Sequence, residues 1–195
     1  MTHDADNPER KVLDRDFKYY IFDWDNNILH MPTQIHLERR REDGTWEPLS
    51  VSTSAFAVLR SDRENYRPPN GDWEQSFADF RDLEHRPESA FLADTRRALD
   101  AVLAGEDETG PSFRQFQKAL IEGRLFAIVT ARGHKSSTLR RGVEMFIERM
   151  LTEEERAAMV RNLRGYMADF GEAHEMLSDQ EVVARYLDLN HYHAV

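Results

Sequence analysis

Two short, strongly apolar runs, Tyr19-Tyr20-Ile21-Phe22 and Leu125-Phe126-Ala127-Ile128-Val129, each stop abruptly at polar residues. A continuous apolar run bounded by turn formers marks a strand buried on both faces, as in the parallel sheets of α/β proteins. The first run opens into Asp23-Trp24-Asp25-Asn26-Asn27 and the second into Thr130-Ala131-Arg132-Gly133. Ligands of open parallel sheets gather at the carboxyl ends of the strands. Asp23, Asp25 and Thr130 are therefore expected to converge although they lie far apart in the chain. Two carboxylates separated by one residue at such an edge can divide labour, one attacking and the other trading protons.

The residues between the runs read as a mixed module. Thr33–Arg40 and Trp46–Ser52 alternate on either side of the turn Glu42-Asp43-Gly44-Thr45, which predicts a β-hairpin. Ser52 or Ser54 caps a short helix through Leu59, Arg63 to Asp72 has the composition of a loop, and Phe77 and Phe80 begin a helical pattern. Helices are predicted from Pro87 to Gly105, from Ser112 to Glu122, from Ser136 to Met150 and from Glu153 to Phe170, the last with Thr152 as N-cap. His191–Val195 reads as the start of another strand. The fold class is α/β, a Rossmann-like, doubly wound core of residues 1–30 and 121–195, with 31–120 inserted as a module of hairpin and helices.

Composition removes several function classes. Cysteine is absent, which excludes disulfide scaffolds, zinc–thiolate sites and cysteine nucleophiles. The formal charge of -10 disfavours a large nucleic-acid footprint. The polar start MTHDADNPERKVLDRD does not resemble a secretion signal, and no apolar stretch approaches the ~18 residues of a membrane span, so a cytoplasmic protein with no membrane association is expected. His30, His134, His191 and His193 match no zinc spacing. Arg39-Arg40-Arg41 reads as a charged hairpin edge, the alternative being a contact to nucleotide phosphate.

Phe22-Asp23-Trp24-Asp25-Asn26-Asn27-Ile28-Leu29 resembles the first motif of the haloacid dehalogenase superfamily, an apolar strand ending in DxD. Leu125 to Gly133 is similar to the second motif, an apolar strand ending in Thr or Ser. The separation of the two is similar to that of members with a cap inserted between these motifs. Most members are magnesium-dependent phosphatases. The resemblance implies Asp23 as the nucleophile that forms an aspartyl phosphate and Asp25 as general acid and base. Thr130 would bind phosphate, and Ala131, Arg132 and Asn26 are grouped with it as phosphate-side candidates; for Arg132 the alternative is a solvated loop arginine. The Asp23 carboxylate and the Asp25 main-chain carbonyl would hold Mg²⁺. Asn27 departs mildly from the Thr or Val common at its position.

The family's third and fourth motifs are not found. Lys135 is the only lysine after Thr130 and stands close behind it for a third-motif cation; Asp169, Asp179 and Asp188 have no apolar strand before them. The chain thus reads either as a shortened piece of a longer phosphatase or as a naturally reduced member, with much reduced activity expected of it as it stands. A small phosphorylated metabolite or nucleotide is the expected substrate, ahead of a polynucleotide 3′-phosphate end. The alternative from another class is a non-catalytic module that binds a phosphoryl ligand or a partner.

Overall fold

The computed structural model describes residues 18–86, 88–171, 173 and 175–194. Residues 1–17 of the expected core, Pro87 at the expected helix start and Val195 of the expected last strand lie outside them. Three parallel strands make the main sheet in the order β1-β5-β6: β1 (Tyr19–Phe22), β5 (Leu125–Thr130) and β6 (His191–Ala194). The register runs from Tyr19 opposite Leu125 to Phe22 opposite Ile128, and from Ala127 opposite His191 to Thr130 opposite Ala194. The two apolar runs of the sequence are thus neighbours, and their carboxyl ends open on one edge.

Helices flank this sheet. The described residues form α3 (Ala90–Ala104) and α4 (Phe113–Ile121) ahead of β5, then α5 (Ser136–Met150), α6 (Glu153–Asp169) and α7 (Asp179–Asp188) ahead of β6. Phe22, Phe126, Ile128 and Tyr192 point to the helices and join a single aromatic-rich cluster with Trp24, Phe91, Phe116 and Phe146. Phe116 sits at its centre, with edge contacts to Phe22, Trp24, Phe126 and Phe146 at centroid distances of 5.1, 6.2, 5.5 and 5.0 Å. On the other face Tyr19 and Ile21 are 49% and 71% exposed. The parallel sheet flanked by helices is compatible with the expected Rossmann-like core, and the apolar stripes of the described helices converge on this one aromatic cluster.

The stretch between β1 and α3 builds a second sheet, in the order β3-β2-β4, from β2 (Ile35–Arg40), β3 (Trp46–Val51) and β4 (Tyr66–Arg67). β2 and β3 are the expected antiparallel hairpin, Ile35 opposite Val51 through Arg40 opposite Trp46. Gly44 at the turn has φ 83°, a left-handed conformation that glycine adopts without steric cost. Ile35, Leu37 and Val51 form a small separate cluster with Phe56 of α1 (Thr53–Leu59), Phe77 and Phe80. The helical pattern around Phe77 and Phe80 resolves into α2 (Trp73–Ser76) and a 3₁₀ turn, Ala78–Phe80. The segment 31–120 thus contributes to both clusters, its first part to the small one and Phe91 to Leu120 to the large one. Among the described residues no helix is long and apolar enough to cross a membrane.

Candidate functional site

Directly after β1 the chain makes a tight loop held from below. Trp24, Ile28 and Leu29 are each 0% exposed, so these three side chains anchor the loop while Asp23 and Asn26 face outward. The amides of Ile28 and Leu29 donate to the Trp24 carbonyl, and that of Asn26 donates to the Leu29 carbonyl. Asn26 has φ 55°, and asparagine is among the few side chains that occupy this region readily. A second segment clamps the loop from outside: Gly110 N–H donates to the Ile28 carbonyl and Ser112 N–H to that of Asn27. The approach is so close that a β-carbon on Gly110 would lie 2.3 Å from the Asn27 oxygen.

β5 delivers Thr130 to the same edge. Its buried hydroxyl donates to Asp25 Oδ2 at 3.3 Å. Arg132, one turn of loop further, is 1% exposed and binds the same carboxylate with two donors, Nε to Oδ2 at 2.7 Å and Nη2 to Oδ1 at 2.5 Å. This is the bidentate geometry in which a guanidinium fixes the plane of a carboxylate. Nη2 also donates to Thr33 Oγ1 at 2.7 Å, and that hydroxyl donates to Asp94 Oδ2 on α3 at 2.5 Å. Arg97 closes the far side of Asp94. The guanidinium lies between two aromatic rings, 4.7 Å from the Phe80 centroid and 5.5 Å from that of Phe91.

The loop carrying Arg132 is in turn stitched to the stretch between β1 and α3. Gly133 N–H donates to the Phe80 carbonyl at 2.8 Å. Asp82 accepts from the Lys135 N–H at 2.8 Å and from the Thr138 hydroxyl at 2.9 Å, and lies 3.2 Å from His134 Nδ1. Burial pushes the pKa of Asp82 up, but these donors outweigh it and leave the group below its usual range. His134, whose side chain is fully buried, is lowered by the same loss of water, with Asp82 opposing.

Asp23 differs from its neighbour. It is exposed, yet its carboxyl gives up enough water for its pKa to rise; the charge of Asp25 adds to the rise, while the Trp24 N–H, the Asp25 N–H and Arg132 oppose it. The site therefore pairs an open, less acidic carboxylate on Asp23 with a pinned one on Asp25.

Of the residues singled out from sequence, Asp25, Thr130 and Arg132 meet directly, and Asp23 stands within their electrostatic reach. Arg132 is not a solvated loop arginine, because two aromatic rings and the Asp25 carboxylate take the place of water around it. Asn26 turns its Oδ1 toward His30 Nδ1 at 3.2 Å. Ala131 and Lys135 are exposed at the loop surface. Thr33, Phe80, Asp82 and Asp94 complete the constellation and were not expected. Asp94 alone left a trace in the sequence, a carboxylate on the apolar stripe of a helix between Phe91 and Ala98. Among the described residues no group of three or more His, Cys, Asp or Glu comes together as a metal site. No protein-family model, curated protein or solved structure matches this chain.

Proposed function

We propose that this edge is a phosphoryl-transfer site of the haloacid dehalogenase type, which hydrolyses a phosphate monoester through Asp23. The observation that supports it most is the contrast between the two carboxylates at one strand end: Asp23 is open and its pKa is raised, whereas Asp25 is fixed by Thr130 and Arg132 from the neighbouring strand. A carboxylate made less acidic by partial dehydration is the better nucleophile of the two. In this reading Asp23 attacks phosphorus and becomes an acyl phosphate, while the alcohol oxygen leaves. Asp25 supplies the proton to that oxygen and later takes one from the water that hydrolyses the acyl phosphate. The Thr130 hydroxyl donates to a phosphoryl oxygen.

Mg²⁺ fits the donor chemistry here, because the Asp23 carboxylate and the Asp25 carbonyl are hard oxygen ligands and this ion commonly takes one or two protein carboxylates with water and substrate phosphate. The ion would supply charge neutralisation for the phosphoryl group. For Asp25 to move a proton, one of its oxygens has to be released by Arg132, so slow turnover is expected. A small phosphorylated metabolite or nucleotide is the proposed substrate class, since the chain's overall charge of -10 opposes a long polyanion.

One observation favours a second reading, a non-catalytic phosphoryl-binding module: both oxygens of Asp25 are already taken by Arg132. Hydrolysis of p-nitrophenyl phosphate in Mg²⁺, with and without Asp23→Asn, separates the two. Turnover abolished by the substitution supports the enzyme. Thermal stabilisation by inorganic phosphate without turnover selects the binder.

A further inference from the structure

We propose that Arg132 is a positioning residue through which the inserted segment sets the orientation of the Asp25 carboxylate. This deepens the phosphoryl-transfer reading and rests on it for the role given to Asp25. Among the described residues, what fixes the guanidinium apart from Asp25 itself comes from the insertion or is anchored by it. Thr33, at the root of the insertion, accepts from Nη2 and is itself tied to Asp94. Phe80 covers one face of the guanidinium with its ring and holds the next residue's backbone with its carbonyl. Asp82 secures the following turn through Lys135 N–H and the Thr138 hydroxyl. The insertion therefore grips both the charged head and the loop that carries it.

The same contacts argue against Arg132 as a phosphate ligand. Its Nε and Nη2 are committed to Asp25 and Thr33, and it is 1% exposed between two rings. Moving the fork to a phosphate would leave the Asp25 charge without its partner, a costly exchange in a partly dehydrated site. A planar fork that holds a carboxylate by two bonds also fixes where its free lone pairs point, which a lysine ammonium cannot do. Displacement of the insertion, by substrate or by mutation, would thus be felt at Asp25 without any direct contact between the two.

The test compares Thr33→Val, Arg132→Lys and Arg132→Met in the full chain, with p-nitrophenyl phosphate and Mg²⁺. The loss of one hydrogen bond to a charged group predicts kcat about tenfold lower in Thr33→Val. Loss of an oriented acid and base predicts a fall of about a hundredfold in Arg132→Met, partly restored in Arg132→Lys. KM is expected to stay within about twofold throughout, the pattern of an interaction used in the transition state alone. A raised KM at constant kcat in the Arg132 variants would make Arg132 a phosphate ligand and overturn the proposal. If the wild-type chain shows no turnover that Asp23→Asn removes, the Asp23 reading fails, and hydrogen exchange decides the positioning claim independently. The Arg132 Nε–H should then exchange at least about tenfold faster in Thr33→Val than in wild type, as expected when a local clamp is loosened. An unchanged exchange rate refutes the role of the insertion.

Discussion

The two hydrophobic clusters of this molecule are built on different principles. The larger one is a network of aromatic rings in which Trp24, Phe91, Phe116, Phe126 and Phe146 are each 0% exposed and in which strands and helices share the same side chains. The smaller one has Ile35, Leu37 and Val51 as its buried members and borrows partly exposed Phe56, Phe77 and Phe80. Three buried aliphatic side chains bury little apolar surface, so the small sheet depends on its attachments to the larger body. Those attachments are the polar contacts around Arg132 and Asp82. The candidate site thus lies on the seam between a self-sufficient part and a dependent one.

Opening the large cluster has the largest expected effect. Phe116→Ala should cost about 4 kcal/mol, near the middle of the range for buried aromatic truncations, and the loss should appear as a lower urea midpoint for the whole chain. In the small cluster, Leu37→Ala should cost about 2 kcal/mol and act locally. Hydrogen exchange should accelerate in β2 and β3 while β5 keeps its protection; equal loss in both sheets would mean that the two parts form one cooperative unit.

At the seam the effect is smaller and depends on pH. The unfolded His134 takes up a proton near pH ~6.5, whereas burial lowers its folded pKa. In the interval between the two values the unfolded chain binds more protons, so stability rises with pH there. The contribution is complete above pH ~6.5 and is lost as pH falls through the folded pKa. Urea midpoints measured from about pH 5 to pH 8 should therefore climb in the wild type and flatten in His134→Gln. Asp82 is shifted in the same direction, a depressed carboxylate, and its stabilisation is complete above its unfolded value of about 3.9 and is lost as pH falls through its lower folded pKa. The smallest expected effect lies far from the seam, in the capping box where Thr152 accepts from Glu155 N–H and the Glu155 carboxylate accepts from Thr152 N–H. Thr152→Ala should cost about 1 kcal/mol, read as a modest drop in Tm with no change in the exchange pattern of β2.

Local chemistry made much of this fold legible. Tyr19–Phe22 and Leu125–Thr130 are strands because their apolar runs are too short for a helix and are bounded by turn formers, and the meeting of their ends follows from parallel pairing. The hairpin was marked by Gly44, and α6 by Thr152. A second capping box, Ser178 with Glu181, carries the same signature at the start of α7. β4 left no such signal, since Tyr66 and Arg67 are strand only because β2 offers a free edge. The partners of Arg132 were illegible for the same reason. A loop arginine reads alike whether it faces water, phosphate or a buried carboxylate, and the choice is made by Thr33, Phe80 and Asp25, which are distant in sequence. Asp23 and Asp25 were found as a pair, but their division into an open and a pinned carboxylate comes from tertiary packing.

The contact at Gly110 has one more consequence. Since even a methyl group there would collide with the Asn27 carbonyl and the backbone of Ile28, the loop that follows β1 is keyed to a point just ahead of α4, far along the chain from the small sheet. Any side chain at Gly110 would push the loop off its seat and carry both aspartates with it.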